Sequence, residues 1–274
     1  MIDHEEPSDD WEEDRPRDPV LDRAIARLRS FFSQAPTRLF YSTQIETALE
    51  RDFFHWIVGR GLLELGNAAE LTRRTMPLQG QSINFYASRK HRYFERQLKT
   101  MLALLARIYD PEFTHAIGRQ GELMFDAALG RYGFRAEASN TKSWGGKTWM
   151  KTNHNLDRIV IRDGVAYGVE IKNTQNYISR EELRTKIELC RHLGVKPLFI
   201  MRFAPKSYMF EIFKSGGFGL LFEEQMYPLG HTELLKQVRE TFGLKVSSPK
   251  DVKDGDMQRL LKWHLVKLPV PPSQ

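Results

Sequence analysis

Two apolar segments joined by the dipeptide Asp163-Gly164 constrain the fold of this chain more than any other feature. An Asp-Gly pair between such segments is the strongest short-range signal for a β-hairpin with a two-residue turn. That turn fixes the register of the two strands, and counting back along both of them places Asp157 opposite Glu170. Because side chains alternate between the faces of a strand, Glu170 and Lys172 share the face of Asp157.

Two opposed carboxylates require a positive partner. Like charges directly opposite each other on neighbouring strands repel, since their Cβ atoms are only about 5 Å apart. A divalent metal ion between Asp157 and Glu170 would offset this repulsion, and we expect one there. The expectation depends on an even number of residues in the turn, because a slip of one residue would move Asp157 to the other face.

Length and composition predict a cytoplasmic protein of two domains. The chain has 274 residues, of which 41% are hydrophobic, enough for two modest cores. It lacks an apolar run of about 18 residues, and it begins with acidic residues, so we expect neither a membrane span nor a signal peptide. The single cysteine, Cys190, follows Leu183 and Ile187 at helical spacing and is expected in the core.

The charge is distributed unevenly along the chain. Residues 1–20 contain nine acidic and two basic side chains, a balance of −7, so the remainder carries +13 against a total of +6. A basic body of this kind favours polyanionic partners, of which nucleic acid is the commonest, although many basic proteins merely solvate their lysines. Residues 1–18 lack apolar periodicity and are expected to form a disordered acidic tail.

Residues 19–88 show the pattern of three helices and two strands. Apolar residues recur at helical spacing after Pro19, and Thr43-x-x-Glu46 has the form of a capping box for a second helix. A third helix is expected from Phe53 to Leu63. The predicted strands cover Leu63 to Leu65 and Ile83 to Ala87, with a long polar loop between them.

This order resembles a winged helix-turn-helix domain. The resemblance implies that the third helix enters the major groove of DNA while the loop meets phosphates. The residues implied are Arg51, His55 and Arg60 on the helix, and Arg73 and Arg74 on the loop. Winged helices also serve as dimerisation or protein-docking modules, which leaves that alternative open. A basic helix over residues 89–110 is expected to link this domain to the next, and its basic face is either a phosphate track or simply solvated.

The pattern of residues 111–268 predicts a three-layer α/β domain. Residues 269–274 are expected to form a tail. Helix and strand patterns alternate along it, and the strand–helix–strand passage after the hairpin should form a right-handed crossover with parallel strands. The expected elements are a helix through Glu122, a strand near Phe134, a loop with Gly145-Gly146, the hairpin, a helix from Ser179 to Gly194, strands over 197–203 and 218–222, and helices near 231–242 and 255–265.

Glu122 lies on the packing stripe of its helix, where a carboxylate is costly without a partner. Glu122, Asp157 and Glu170-Ile171-Lys172 together resemble the PD-(D/E)XK nuclease superfamily, most closely its Holliday-junction resolvase and type II restriction-like branches. The resemblance covers about residues 112–205, and Asn155-Leu156 stands where many members have a proline. It implies a restriction endonuclease-like core with a mixed central sheet.

The resemblance also implies roles for these residues. Asp157, Glu170 and the carbonyl of Ile171 would bind Mg²⁺, for which Mn²⁺ may substitute. Glu122 would complete a second metal site or hold a water, and Lys172 would position water and stabilise charge at the phosphate. The small residues Ala166 and Gly168 would let the Glu122 helix approach closely. Phosphate contacts are expected from Lys147, Lys151 and Gln175.

The sequence therefore predicts a metal-dependent endonuclease that hydrolyses phosphodiester bonds in DNA, targeted by its N-terminal domain. Cleavage of both strands normally needs two active sites, so a homodimer is expected. Two alternatives stay open: a non-catalytic DNA-binding regulator built on a nuclease-like scaffold, and a nuclease that acts on RNA.

Overall fold

A computed structural model of the protein describes residues 18–267. The predicted tail over 269–274 and all of the predicted acidic tail except Asp18 lie outside these residues. The described chain divides into two compact units, one formed by residues 18–75 and 84–94 and the other by residues 76–83 and 95–267. Within the described range, no helix is both long enough and apolar enough to cross a membrane.

The N-terminal elements occur in the order helix, strand, two helices and a hairpin. They are α1 (Pro19–Gln34), β1 (Leu39–Tyr41), α2 (Ser42–Leu49), α3 (His55–Asn67), β2 (Leu71–Leu78) and β3 (Gln81–Ser88). Helix α1 begins as predicted, because Pro19 occupies its first turn and Asp18 Oδ1 accepts the N–H of Val20 at 2.8 Å. The sheet has the order β1-β3-β2, and the three helices bury one shared apolar core.

Two details of this region differ from the prediction. Leu63 and Leu65 belong to α3, because the apolar spacing of that helix continues through Leu62 and Leu65. The expected long loop is instead strand β2, which turns into β3 through Gln79-Gly80, with φ angles of 49° and 74°. Most side chains of β2 are exposed on both faces, so the strand lacks the apolar alternation that would have revealed it.

The predicted capping box of α2 is also wrong. The helix begins at Ser42, directly after strand β1, and Tyr41 at its N-cap makes no side-chain hydrogen bond. Thr43 is therefore inside the first turn.

The C-terminal elements alternate between helices and strands. They are α4 (Phe94–Ile108), α5 (Pro111–Arg131), β4 (Arg135–Thr141), β5 (Ser143–Trp144), β6 (Lys147–Thr148), β7 (Leu156–Arg162), β8 (Val165–Lys172), α6 (Arg180–Leu193), β9 (Lys196–Met201), α7 (Lys206–Lys214), β10 (Phe218–Leu221), β11 (Gln225–Met226), α8 (Thr232–Phe242), β12 (Val246–Ser247) and α9 (Asp254–Lys267). Helix α7 and the short strands β5, β6, β11 and β12 were not predicted.

The central sheet is mixed, as predicted for an α/β protein. Its five strands have the order β10-β9-β8-β7-β4. Strands β4, β7 and β8 form an antiparallel meander, whereas β9 and β10 continue the sheet in parallel. Helices α5 and α9 share one apolar cluster with one face of the sheet, and α6 shares a second cluster with the other face. The result is a three-layer arrangement.

The hairpin of β7 and β8 has the predicted register. Paired residues run from Arg162 and Val165 to Arg158 and Val169, one step short of the two acids. The turn residues Asp163-Gly164 have φ angles of 47° and 74°, the left-handed conformation that a two-residue hairpin turn requires.

Helix α6 has both predicted ends. Ser179 Oγ accepts the N–H of Glu182 at 3.1 Å, and Gly194, with a φ of 75°, ends the helix in the left-handed conformation. Cys190 on this helix is 1% exposed.

The helix that approaches the small residues of β8 is α6, whereas the sequence analysis assigned this role to the helix of Glu122. A Cβ atom on Gly168 would lie 2.7 Å from Cys190 Sγ and 2.7 Å from Leu156 Cδ1. Helix α5 packs on the opposite face, against a cluster that includes Val169. The helix on the Glu170 side of the sheet is therefore α6.

Candidate active site

Asp157 and Glu170 lie together at one end of the hairpin. Asp157 Oδ2 accepts the backbone N–H of Ile171 at 2.7 Å, which ties the first carboxylate to the strand of the second. Glu170 is 2% exposed. Burial raises the pKa of both carboxyls, and the charge of Asp157 raises the pKa of Glu170 further.

Two lysines offset the repulsion between these acids. Lys172 Nζ lies 3.0 Å from Glu170 Oε1, and Lys186 Nζ lies 2.6 Å from Glu170 Oε2. Lys186, which projects from α6, also donates a hydrogen bond to the carbonyl of Asn155. Its charge lowers the pKa of Asp157, so it acts on both acids. Two ammonium groups therefore contact Glu170 in the described structure, and the divalent metal ion at this position stays a prediction.

Lys172 is held between two carboxylates. Its Nζ lies 2.9 Å from Glu182 Oε1 in addition to its contact with Glu170. Burial lowers the pKa of Lys172, but Glu170 and Glu182 outweigh burial, so the pKa is raised overall. In this arrangement Lys172 stays protonated at neutral pH and cannot act as a general base. It can orient groups and stabilise negative charge, as expected.

Glu122 lies on α5, the helix that packs against the opposite face of the sheet from α6. Its Oε2 is 3.2 Å from Arg158 Nη2, and the same guanidinium is 2.8 Å from Asp126 Oδ2. Glu122 still contributes to the raised pKa of Asp157 through its charge. Among residues 18–267, no group of three or more His, Cys, Asp or Glu side chains is arranged to hold a metal ion.

The start of the loop after Lys172 is anchored by Asn173. Its Nδ2 donates to the carbonyls of Ile117 and Met226, both at 2.7 Å, and its Oδ1 accepts the N–H of Met226 at 2.7 Å. Helix α5 packs closely against Asn173 at Gly121, where an added Cβ atom would lie 2.6 Å from the Cβ of Asn173. A glycine is therefore required for α5 to reach this position.

The three residues predicted around the pocket have different surroundings. Lys151 Nζ pairs with Glu188 Oε1 at 2.6 Å, and Gln175 Nε2 donates to Gln225 Oε1 at 2.7 Å. Lys147 is exposed on β6, and the neighbouring Thr148 carbonyl contacts His192 Nε2 at 3.0 Å.

This last contact places β6 at the C-terminal end of α6. Glu182, which contacts Lys172, belongs to the first turn of α6, and His192 belongs to its last turn. His192 follows Glu182 by ten positions, a rise of about 15 Å along the helix. The structure therefore does not bring Lys147 to the carboxylates.

The N-terminal residues predicted to contact DNA are only partly placed as expected. Arg60 is exposed on α3, but Arg51 lies in the turn before that helix. His55 faces acids, with Nδ1 4.0 Å from Glu46 Oε2 and Nε2 3.7 Å from Glu50 Oε2. The remaining two, Arg73 and Arg74, are exposed on strand β2 and not on a loop.

Lys186 is the functional candidate that the sequence analysis missed. The signal was present, because Lys186 falls between Leu183 and Cys190 on the buried stripe of α6. A charged side chain on the buried stripe of a helix needs a partner of opposite charge or a hydrogen-bond acceptor. The same reasoning that singled out Glu122 therefore applies to Lys186.

Comparison with known proteins assigns no family to the chain. No family model matches it, and neither a curated protein nor a solved structure shows a match.

Proposed function

We propose that the protein is a metal-dependent endonuclease that hydrolyses phosphodiester bonds in DNA. One observation carries the proposal: the hairpin brings Asp157 and Glu170-Ile171-Lys172 together at one end of a mixed sheet. A buried carboxylate, Glu170, next to the half-buried carboxylate of Asp157 and a protonated lysine is costly to maintain for stability alone.

The donors at this site suit a hard divalent cation. Asp157, Glu170 and the carbonyl of Ile171 offer the oxygen ligands that Mg²⁺ and Mn²⁺ take in proteins. When bound, such an ion would activate a water and neutralise charge at the phosphate. Glu122 lies near enough to influence Asp157 electrostatically, which agrees with a supporting role at the rim of the site.

The other residues have roles that follow from their contacts. The N–H of Ile171 orients the carboxylate of Asp157. Glu182 and Glu170 hold the ammonium of Lys172 from two sides, where it would stabilise negative charge on a phosphate and position the attacking water.

The element order supports the proposal. The resemblance to PD-(D/E)XK nucleases implies a core of a helix, a three-stranded meander, a helix and a strand. Helix α5, the meander β4-β7-β8, helix α6 and strand β9 follow that order. The order from α1 to β3 agrees with a winged helix-turn-helix domain. Arg60, Arg73 and Arg74 are the basic side chains proposed to contact DNA in that domain, and a homodimer is the proposed assembly for cutting both strands.

Cleavage assays test this function directly. Plasmid, linear and branched DNA would be incubated with the protein and Mg²⁺ or Mn²⁺, and the assay repeated with Asp157→Ala and Lys172→Ala. Exposed residues provide the matched controls Asp251→Ala and Lys214→Ala. We expect cleavage by the wild type and both controls, and a loss of about 100-fold or more in the two site variants. Cleavage that survives both site substitutions would show that the site is wrong.

A second candidate function is a DNA-binding regulator without catalytic activity. The observation in its favour is that lysines occupy both carboxylate oxygens of Glu170. This candidate predicts duplex binding that survives EDTA and no cleavage with either metal. Competition between labelled RNA and DNA would separate the DNA-directed enzyme from one that acts on RNA.

A further inference from the structure

Lys186 has an unusual position for a lysine. It is 4% exposed and projects from the buried side of α6 towards Glu170. Its ammonium has two oxygen partners, Glu170 Oε2 at 2.6 Å and the carbonyl of Asn155. The ammonium of Lys186 does not reach solvent, so the oxygen atoms around it must stabilise its charge.

The oxygens around this ammonium are the kinds of ligand that a divalent cation takes. A carboxylate and a backbone carbonyl are typical ligands of hard cations. Asp157 lies beside them, two residues after Asn155 on the chain. An ammonium and a metal ion cannot both occupy the same oxygen of Glu170 at short distance, because both are positively charged.

The two lysines at Glu170 differ in the partners that each ammonium would retain if a metal ion bound Glu170. Lys172 has a second carboxylate partner, Glu182 at 2.9 Å, and can remain charged and bound there. Lys186 also acts on Asp157 through its charge, but among the described residues it has no second carboxylate at ion-pair distance. Lys186 is therefore the cation that a metal ion would replace.

We propose that the ammonium of Lys186 is the resident cation of the site, and that a divalent metal ion binds by displacing it from Glu170. Lys186 then keeps the fold intact without metal and weakens metal affinity, since its displacement opposes binding. This inference rests on the proposed function and assigns Lys186 as a positioning residue.

Metal binding and unfolding measurements on the full chain test the inference. Isothermal titration calorimetry with Mn²⁺ gives the dissociation constant, and calorimetric melting in EDTA or in Mn²⁺ gives Tm. The variants are Lys186→Met, which removes the charge at similar volume, Glu170→Gln, and the double variant. Lys214→Met, an exposed substitution on α7, is the matched control.

The inference predicts opposite effects of Lys186→Met on stability and on metal affinity. Its Tm in EDTA should fall, because buried Glu170 loses one of its two ammonium partners, and Mn²⁺ should restore the Tm of this variant more than it raises the wild-type Tm. Its affinity for Mn²⁺ should exceed that of the wild type by about tenfold or more. The double variant should recover Tm in EDTA and lose the response to Mn²⁺, and Lys214→Met should match the wild type.

The failures of the two proposals are distinguishable. If Mn²⁺ binds the wild type and Lys186→Met with equal affinity, Lys186 does not compete with metal and this inference falls, while the proposed function stands. If neither protein takes up Mn²⁺, the proposed function falls as well. Should Lys186→Met fail to fold in EDTA, its folding on addition of Mn²⁺ would support the inference. Failure to fold with Mn²⁺, while the double variant folds, would overturn it.

Discussion

The phenol of Tyr167 lies 2.6 Å from Nδ1 of His264 in the interior of the C-terminal unit. The other ring nitrogen of His264, Nε2, lies 2.8 Å from Oδ2 of Asp163. A carboxylate only accepts, so Nε2 donates to Asp163, and in the tautomer with its proton on Nε2 the ring accepts the Tyr167 hydroxyl at Nδ1. This chain of hydrogen bonds attaches the turn of the hairpin to α9.

Substitution of Tyr167 by Phe should destabilise the protein by about 1–3 kcal/mol, because it leaves the buried Nδ1 of His264 without its donor. Urea unfolding measures the loss. Tyr132→Phe is the control, since the Tyr132 hydroxyl contacts Asp254 at 3.2 Å on the surface. An equal loss of unfolding free energy in both variants would show that the buried hydrogen bond of Tyr167 contributes no more to stability than the exposed one of Tyr132.

The Asp163 carboxylate should make stability depend on pH. The hydrogen bonds from His264 and Arg162 lower the pKa of Asp163 below its ordinary value. A carboxyl with a lowered pKa in the folded state contributes stability that is present above its unfolded pKa and lost as pH falls through the folded pKa.

The substitution Asp163→Asn keeps a residue suited to the turn and removes only the charge. The variant should be less stable than the wild type at pH 7, and the difference should vanish in acid below the folded pKa. Unfolding midpoints across this range would test it, and a constant difference would contradict it.

Two glycines on α5 give a matched pair for packing. Gly121→Ala should cost about 1–3 kcal/mol, since its Cβ would lie 2.6 Å from the Cβ of Asn173. Gly118→Ala meets nothing within 4 Å and should stabilise the helix by about 0.5–1 kcal/mol. Thermal unfolding of both variants measures the contrast. A similar increase in unfolding free energy for both variants would mean that α5 is not in close contact with Asn173 at Gly121.

Glu182 should affect cleavage through Lys172. Glu182→Gln weakens the 2.9 Å contact that orients the lysine, and we expect kcat to fall by about tenfold or more with little change in DNA affinity. The neighbouring Glu181→Gln, at an exposed position, is the control. A rise in KM at unchanged kcat would assign Glu182 to substrate binding instead.

Arg60 tests the contribution of the N-terminal unit to DNA binding. Arg60→Ala should weaken duplex affinity and reduce the salt dependence of log K by about one unit, as expected for the loss of one phosphate contact. Fluorescence anisotropy at several salt concentrations measures both. Arg29→Ala is the control, because Arg29 is already paired with Glu70 at 2.6 Å. Identical salt slopes for all three proteins would exclude Arg60 from the DNA interface.

The hairpin register was predictable from sequence because it depends on local chemistry. The Asp163-Gly164 turn fixes the pairing of residues only a few positions away, so counting along the chain was enough. The ends of α6 were predictable for the same reason, since Ser179 and Gly194 act on adjacent backbone groups.

The surroundings of Glu170 were harder to predict because they depend on which helix covers which face of the sheet. Periodicity shows that α5 and α6 each bury one side, but it does not tell which side of the hairpin each one meets. The assignment of Glu122 to the Glu170 face failed there, and Lys186 was overlooked. Strand β2 escaped prediction because its side chains are mostly exposed on both faces.

The missing side chain at Gly168 has a consequence for the chemistry of the site. Cys190, which fills the space above Gly168, is one helical turn beyond Lys186, so the clearance at Gly168 sets how deeply α6 can settle on β8. An alanine there would lift the helix and lengthen the reach required of the Lys186 side chain. Under the proposed exchange, the size of residue 168 would therefore affect whether the ammonium of Lys186 or a divalent ion neutralises Glu170.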